Sequence, residues 1–428
     1  MGIVLKGITA ALGQTFTVKR VDIRIEGNTI EEISDQSVRI QRKDEVIDGT
    51  TKFAIPGLVN SHTHLPMVLF RGAADDLPLA QWLSERIWPS EARLTEEDVY
   101  WGSLLGLAEM IRSGTTLISD MYFHLDAIGR AVVESGMRAT LAYGIIAPRL
   151  DDKGREELIR SERAITQFHH ANGGLIQTAV APHAWYTCAK EVWKEAVKLA
   201  HKYNIPIHTH IAETRDEVAN CYMNNGMTPV ELLERWGAFS VPMIAAHCVH
   251  VTAADIEIMA EHMVNIAHCP KSNAKLGNGV APLKKMCSAG LNIALGTDGA
   301  ASNNSLDMLS ELRFAALSAK ATSEDPTVIT AKDALMMATT AGAKALNWED
   351  TGIIEQGKRA DIALIDLGMV EMTPVHDPIA ALVYSAGREA VSDVIVDGRF
   401  LMRNRQLTTI EEDRVKYEVK RIANRYRN

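Results

Sequence analysis

From about residue 53 the chain alternates short, near-continuous apolar runs with longer segments whose apolar residues recur at three- and four-residue spacing. Eight such runs precede residue 300, at 53–59, 115–118, 138–146, 175–181, 205–211, 243–247, 264–267 and 291–296. Runs without a polar face imply strands buried on both sides, which is the texture of a parallel sheet covered by helices. Eight β/α units in about 250 residues predict a (β/α)8 barrel over an open doubly wound sheet. The intervening helices have their own signals. Thr95-x-x-Asp98 opens one, Trp101, Leu104, Leu105, Ala108 and Ile111 line its apolar face, and Gly114 closes it.

The flanks differ. Residues 20–25 and 29–33 alternate apolar and polar around the turn Glu26-Gly27-Asn28. After a helix predicted over 331–346, residues 361–366 and 391–397 return to strand texture, with Gly398 at a turn. Neither end carries enough apolar surface to be stable alone, so both are expected to fold together into one small β-sandwich domain. The expected division is 1–54 and 353–408 for that composite domain, 55–352 for the barrel and 409–428 for a last helix. Thr409-x-x-Glu412 reads as its cap, and Val415, Val419, Ile422 and Tyr426 as its docking stripe.

Composition narrows the function. With 46% hydrophobic and 23% charged side chains in 428 residues, the chain is no disordered or fibrous protein. Its 45 basic and 54 acidic residues give a net charge of −9, so no basic field exists to gather nucleic acid. No stretch reaches about 18 uninterrupted apolar residues, and the start, Met1-Gly2-Ile3-Val4-Leu5-Lys6, has no basic region leading into an apolar core, so neither membrane insertion nor export is expected. Five scattered cysteines without a Cys-x-x-Cys pair argue against disulfides and thiolate zinc, and fit a reducing cytoplasm. The expected partner is a small molecule; a homo-oligomeric assembly is left open.

Chemistry concentrates at the predicted strand ends. His62 and His64 are two apart, so in an extended chain both address one side. An isolated pair of this kind is as readily a polar-loop feature, but other candidates fall at the same rim: His208-Thr209-His210-Ile211-Ala212-Glu213, His247-Cys248-Val249-His250 and Gly296-Thr297-Asp298-Gly299. The carboxyl ends of barrel strands open on one face. Histidines and an aspartate from strands one, five and eight form a nitrogen and oxygen shell suited to zinc, with room for water. His208 reads as a packed neighbour of His210, and His169 and His170 as a solvated helix end. His124, His201, His262 and His376 lack ligand-type neighbours, and His268 faces the rim without an assigned role.

At these residues the sequence resembles the amidohydrolase superfamily, within it the branch of 5′-methylthioadenosine and S-adenosylhomocysteine deaminases. The matching stretches are 57–64, 71–78 (Arg71-Gly72-Ala73-Ala74-Asp75-Asp76-Leu77-Pro78), 87–91, 181–183, 210–213, 245–250, 275–279 and 296–305. The resemblance implies one zinc ion per chain on His62, His64, His210 and Asp298, other divalent ions being compatible. It implies that Glu213 moves a proton to the ring nitrogen, His247 orients the attacking water and Asp298 delivers a proton to ammonia. Glu91, in Trp88-Pro89-Ser90-Glu91, would take the ribose hydroxyls and His183 a further substrate contact. The implied reaction is zinc-dependent hydrolytic deamination of 5′-methylthioadenosine, adenosine or S-adenosylhomocysteine to the inosine analogue. One position departs: Tyr143 precedes Gly144 where the family has arginine, and Arg149 or Arg155 would have to replace it, which favours 5′-methylthioadenosine or adenosine as substrate. The alternatives are an aminohydrolase or chlorohydrolase acting on guanine, a pterin or a triazine, and a non-catalytic zinc-containing binding protein. A purely structural zinc has no use for Glu213 and His247.

Overall fold

The computed structural model describes residues 2–73 and 75–426, so Met1, Ala74 and the last two positions of the final segment lie outside the described residues. Eight parallel strands, Leu58–Thr63, Thr115–Tyr122, Arg138–Ile145, Ile176–Pro182, Ile207–Ile211, Met243–His247, Asn265–His268 and Asn292–Leu295, pair in sequence order. They form a nearly closed (β/α)8 barrel. Between the last strand and the first, the Asp298 N–H donates to the His62 carbonyl at 2.9 Å and the Thr297 N–H to Asn60 Oδ1 at 3.0 Å.

The apolar run at 53–59 is not one strand but two. Lys52–Pro56 belongs to the other sheet, pairing with Ile3–Leu12 and Ile362–Asp366, and the barrel begins only at Leu58. Gly57 makes the crossing because a Cβ there would stand 2.1 Å from Thr116 Oγ1. Both ends of the chain build this second sheet of nine strands, which curls around its own core of Leu5, Ile23, Ile30, Ile362 and Ile395.

Thr95 and Asp98 form the reciprocal cap on the helix Glu96–Arg112. The helix read over 331–346 is broken into Ala331–Met337 and Thr340–Ala345, because Thr339 leaves helical geometry and Gly342 must sit against Val59. The cap read at Thr409 does not form: its hydroxyl donates to the Ser135 carbonyl at 2.8 Å, and the last helix runs Glu412–Ala423 from an Glu411 N-cap without a side-chain bond. Val415, Val419 and Ile422 are buried as the stripe requires. Among the described residues no helix is long and apolar enough to cross a membrane.

Candidate functional site

The ligand-type residues stand where strand ends turn sharply. Ala212, His247 and Asp298 adopt φ of 51°, 71° and 61°, a left-handed region that costs a non-glycine residue of order 1–3 kcal/mol. Such bends re-aim side chains into the barrel mouth. After the first strand, Asp120 Oδ1 accepts the Leu65 N–H at 2.6 Å and pins the turn that carries His64. Gly296 lets the eighth strand pass His62, whose Cβ would be 2.8 Å from any Cβ there.

Four imidazoles share one arrangement. His64 Nδ1 donates to the Met121 carbonyl at 2.6 Å, His210 Nδ1 to the His183 carbonyl at 2.8 Å and His247 Nδ1 to Asn273 Oδ1 at 2.8 Å. His62 Nδ1 pairs with His208 Nε2 at 2.8 Å, and Ser119 Oγ lies 3.2 Å from the far nitrogen of His208. A proton held on Nδ1 by a carbonyl leaves Nε2 as a lone pair facing inward. His208 is thus the support of His62.

The lone pairs meet Asp298. Its Oδ1 lies 3.3 Å from His64 Nε2 and 3.6 Å from His62 Nε2. The donor atoms of His62, His64 and His210 lie within 4.8 Å of one another, as do those of His62, His247 and Asp298. Burial pushes His62 down to about 4 and His210 well below the usual histidine range. For Asp298 burial alone would raise the pKa, but the histidines around it hold the carboxylate well below its usual range. Ser272 and Ser302 hydroxyls, at 2.6 and 2.7 Å, fix its Oδ2. Inward-facing Nε2 atoms beside a carboxylate, with His62 Nε2 buried and without a hydrogen-bond partner, fit a divalent cation.

The remaining groups share one pocket with this cluster. Glu213 accepts from Asn278 Nδ2 at 2.9 Å and its Oε2 lies 3.8 Å from His247 Nε2. Burial raises its carboxyl, with His247 opposing. Burial of His247 is outweighed by Glu213 and Asp298, which raise the imidazole. Glu91 closes the far side, accepting from the Tyr122 hydroxyl at 2.6 Å, and burial pushes it up to about 7 against that bond. His183 lines the same pocket, its ring 4.6 Å from that of His210.

Arg149 and Arg155 do not reach the pocket; both are exposed. The helix Asp152–Phe168 starts tight under the Arg149 carbonyl, which a Cβ on Gly154 would meet at 2.1 Å, and it points Arg155 outward. The residues it turns toward Tyr143 are Glu157, whose carboxylate accepts from the Tyr143 hydroxyl at 3.2 Å, and Arg160. With Trp88, Glu91 and Phe123 they line a wider recess that continues the pocket. The sequence reading missed Tyr122, Asn273 and Arg160; only their neighbours' motifs marked the region. His268 is fully buried with both ring nitrogens unpartnered and lies outside the pocket lining.

The model of the "Amidohydrolase family" matches residues 53–401. A "5-methylthioadenosine/S-adenosylhomocysteine deaminase" of Dictyoglomus thermophilum is 48% identical, over 92% of this chain and 92% of its own. A "5'-deoxyadenosine deaminase" of Methanocaldococcus jannaschii is also 48% identical, over 93% and 94%. The crystal structure of an adenosine deaminase from Xanthomonas campestris with bound zinc superposes with a TM-score of 0.94 at 35% identity, covering 99% of this chain and 98% of that one. Barrel, inward-facing histidines and full-length kinship agree: the chain belongs to the amidohydrolase family.

Proposed function

We propose that this protein is a zinc-dependent deaminase that hydrolyses the C6 amino group of an adenine nucleoside, 5′-methylthioadenosine, adenosine or S-adenosylhomocysteine, to give the inosine analogue and ammonia. The observation that carries the reading is the placing of two unlike carboxylates in one pocket: Glu213 beside the histidine cluster and Glu91 across from it. A purine ring between them meets proton-transfer groups at one end while its ribose meets an acceptor at the other.

His62, His64, His210 and Asp298 are the residues that would hold one zinc ion. When bound, zinc lowers the pKa of a water to about 7 and so supplies hydroxide at neutral pH. Glu213, steadied by Asn278, carries a proton from the attacking water to the ring nitrogen next to C6. His247, proton on Nδ1, presents Nε2 to orient that water. The ionised Asp298 takes the second proton of that water from the oxygen added at C6 and passes it to the amino group as it leaves as ammonia. Glu91 accepts the ribose hydroxyls, His183 supports the base, and the 5′ substituent runs into the recess at Tyr143, Glu157 and Arg160. The names of the relatives, spanning methylthio, homocysteinyl and deoxy adenosines, support a purine nucleoside with a variable 5′ end.

The test is a panel of adenosine, 5′-methylthioadenosine, 5′-deoxyadenosine and S-adenosylhomocysteine offered to the purified protein. Ammonia and the inosine analogue are expected, with loss of turnover on chelation and recovery with zinc. No ammonia from any member would overturn the reading.

A further inference from the structure

Among the described residues four helices start with Thr-x-x-Asp or Thr-x-x-Glu closed into a reciprocal cap: Thr95 with Asp98, Thr228 with Glu231, Thr252 with Asp255 and Thr330 with Asp333. In each the acid reaches back to the N–H of its own threonine. The same spelling, Thr214-Arg215-Asp216-Glu217, opens the helix Arg215–Asn225 directly after Glu213, and here the pattern is broken. Thr214 still accepts the Glu217 N–H at 3.0 Å. The Glu217 carboxylate, however, passes over the Thr214 N–H and binds two residues nearer the site. Its Oε1 accepts the Ala212 N–H at 3.0 Å and its Oε2 the Glu213 N–H at 2.7 Å.

We propose that Glu217 is a positioning residue for Glu213: its buried carboxylate clamps the backbone of residues 212–213 and thereby aims the Glu213 side chain. Three observations agree. Ala212 is held at φ 51°, a conformation that alanine enters only when its surroundings impose it, and the clamp supplies that constraint from both neighbouring amides. Glu217 is buried, as the cap acids Asp98 and Asp255 also are, but here a second buried carboxylate, Glu213, stands near enough to oppose its ionisation, an electrostatic cost that the clamp must offset. The far end of Glu213 is fixed separately by Asn278, whose own carbonyl accepts from His250 Nε2 at 2.6 Å, so the proton-carrying residue is gripped at backbone and carboxylate alike.

The inference rests on Glu213 being the proton carrier, and the test separates the two claims. Glu217→Gln keeps shape and one acceptor but sets its amide against a backbone donor. Glu231→Gln damages a cap of the same type far from the pocket. For the metal-loaded enzyme, Glu217→Gln is expected to lower kcat by about 10- to 100-fold with KM within about twofold, since small misplacement of a reacting group costs on that order. Glu231→Gln is expected to lower the melting temperature and leave kcat within about twofold. Equal kcat for both variants, with Glu213→Gln inactive, would overturn the positioning role while leaving the deaminase reading intact. A crystal structure of Glu217→Gln gives a readout without catalysis: displacement of residues 212–213 and loss of the Glu213–Asn278 bond are expected, and an unmoved Glu213 would overturn the proposal even if no nucleoside were turned over.

Discussion

The two mouths of the barrel both bury polar and charged side chains and use them oppositely. At the amino-terminal mouth, Arg138 is fully buried, yet its Nε and Nη2 donate to the two oxygens of Asp361 at 2.7 and 3.1 Å, and Nη2 also to Asp397 at 3.2 Å. Asp361 further accepts from the Thr351 hydroxyl and the Asp397 N–H, and the guanidinium lies 4.9 Å over the Trp348 ring. Every charge is answered, and the network joins the barrel floor to the sheet made from the chain ends. At the carboxyl-terminal mouth, His62 Nε2, Asp120 Oδ2 and Asn273 Nδ2 are buried without a partner. Full pairing marks the Arg138 network as a joint between bodies; unpaired donors and acceptors mark the second mouth as a place for ligand and substrate.

The contrast can be broken at either mouth. The largest expected effect is at the top: Glu213→Gln should keep its metal and its melting temperature while kcat falls by about 10²- to 10⁴-fold, the range for a lost general acid–base. Metal content and steady-state rates check this; undiminished turnover would remove Glu213 from proton transfer. At the floor, Arg138→Ala leaves Asp361 buried without its guanidinium and should cost about 3–5 kcal/mol of stability. Denaturant unfolding reads that cost, and kcat of the folded fraction should not change. A loss below about 1 kcal/mol would mean the network is decoration rather than a joint. The smallest effect sharpens the top mouth alone. Glu91, raised by burial to about 7, is neutral below that pH and charged above it, and only the charged form accepts from both ribose hydroxyls. The ratio of kcat/KM for adenosine over 2′,3′-dideoxyadenosine should therefore rise about tenfold from pH 6 to pH 8, other titrations cancelling. A flat ratio would take Glu91 off the ribose.

Why the barrel was readable and its first strand was not follows from burial. A strand covered on both faces is apolar throughout, so eight runs announced eight strands. The same property erased the junction at Gly57, since Phe53 and Ile55 of the end sheet are as buried as Leu58 and Val59 of the barrel, and pack in one core with Leu58. Amphipathic spacing found the helix Glu96–Arg112, but the break at Thr339 answers to packing of Gly342 on Val59, distant in sequence. The candidate metal-binding cluster was legible because histidines and an aspartate recur at the ends of strands that all open on one face. Their supports were not, because the partners of His64 and His210 are backbone carbonyls of Met121 and His183, which any residue would offer. The same limit applies to Thr214-Arg215-Asp216-Glu217 and to Thr409-x-x-Glu412. Each spells a reciprocal cap, but Glu217 turns to the amides of Ala212 and Glu213 just before its helix, and Thr409 to the distant Ser135 carbonyl.

The strand Lys52–Pro56 lies between Ile3–Leu12 and Ile362–Asp366, with Phe53 opposite both Thr9 and Ile365. From 53 to 365 is 312 residues, and a ribosome adding about 5–20 residues per second makes that stretch in roughly 15–60 s. Ile3–Leu12 is therefore available to this strand as soon as it is made, while its second neighbour is synthesised only much later. During that interval an apolar strand has one open edge, and every barrel strand is synthesised before the segment that closes it.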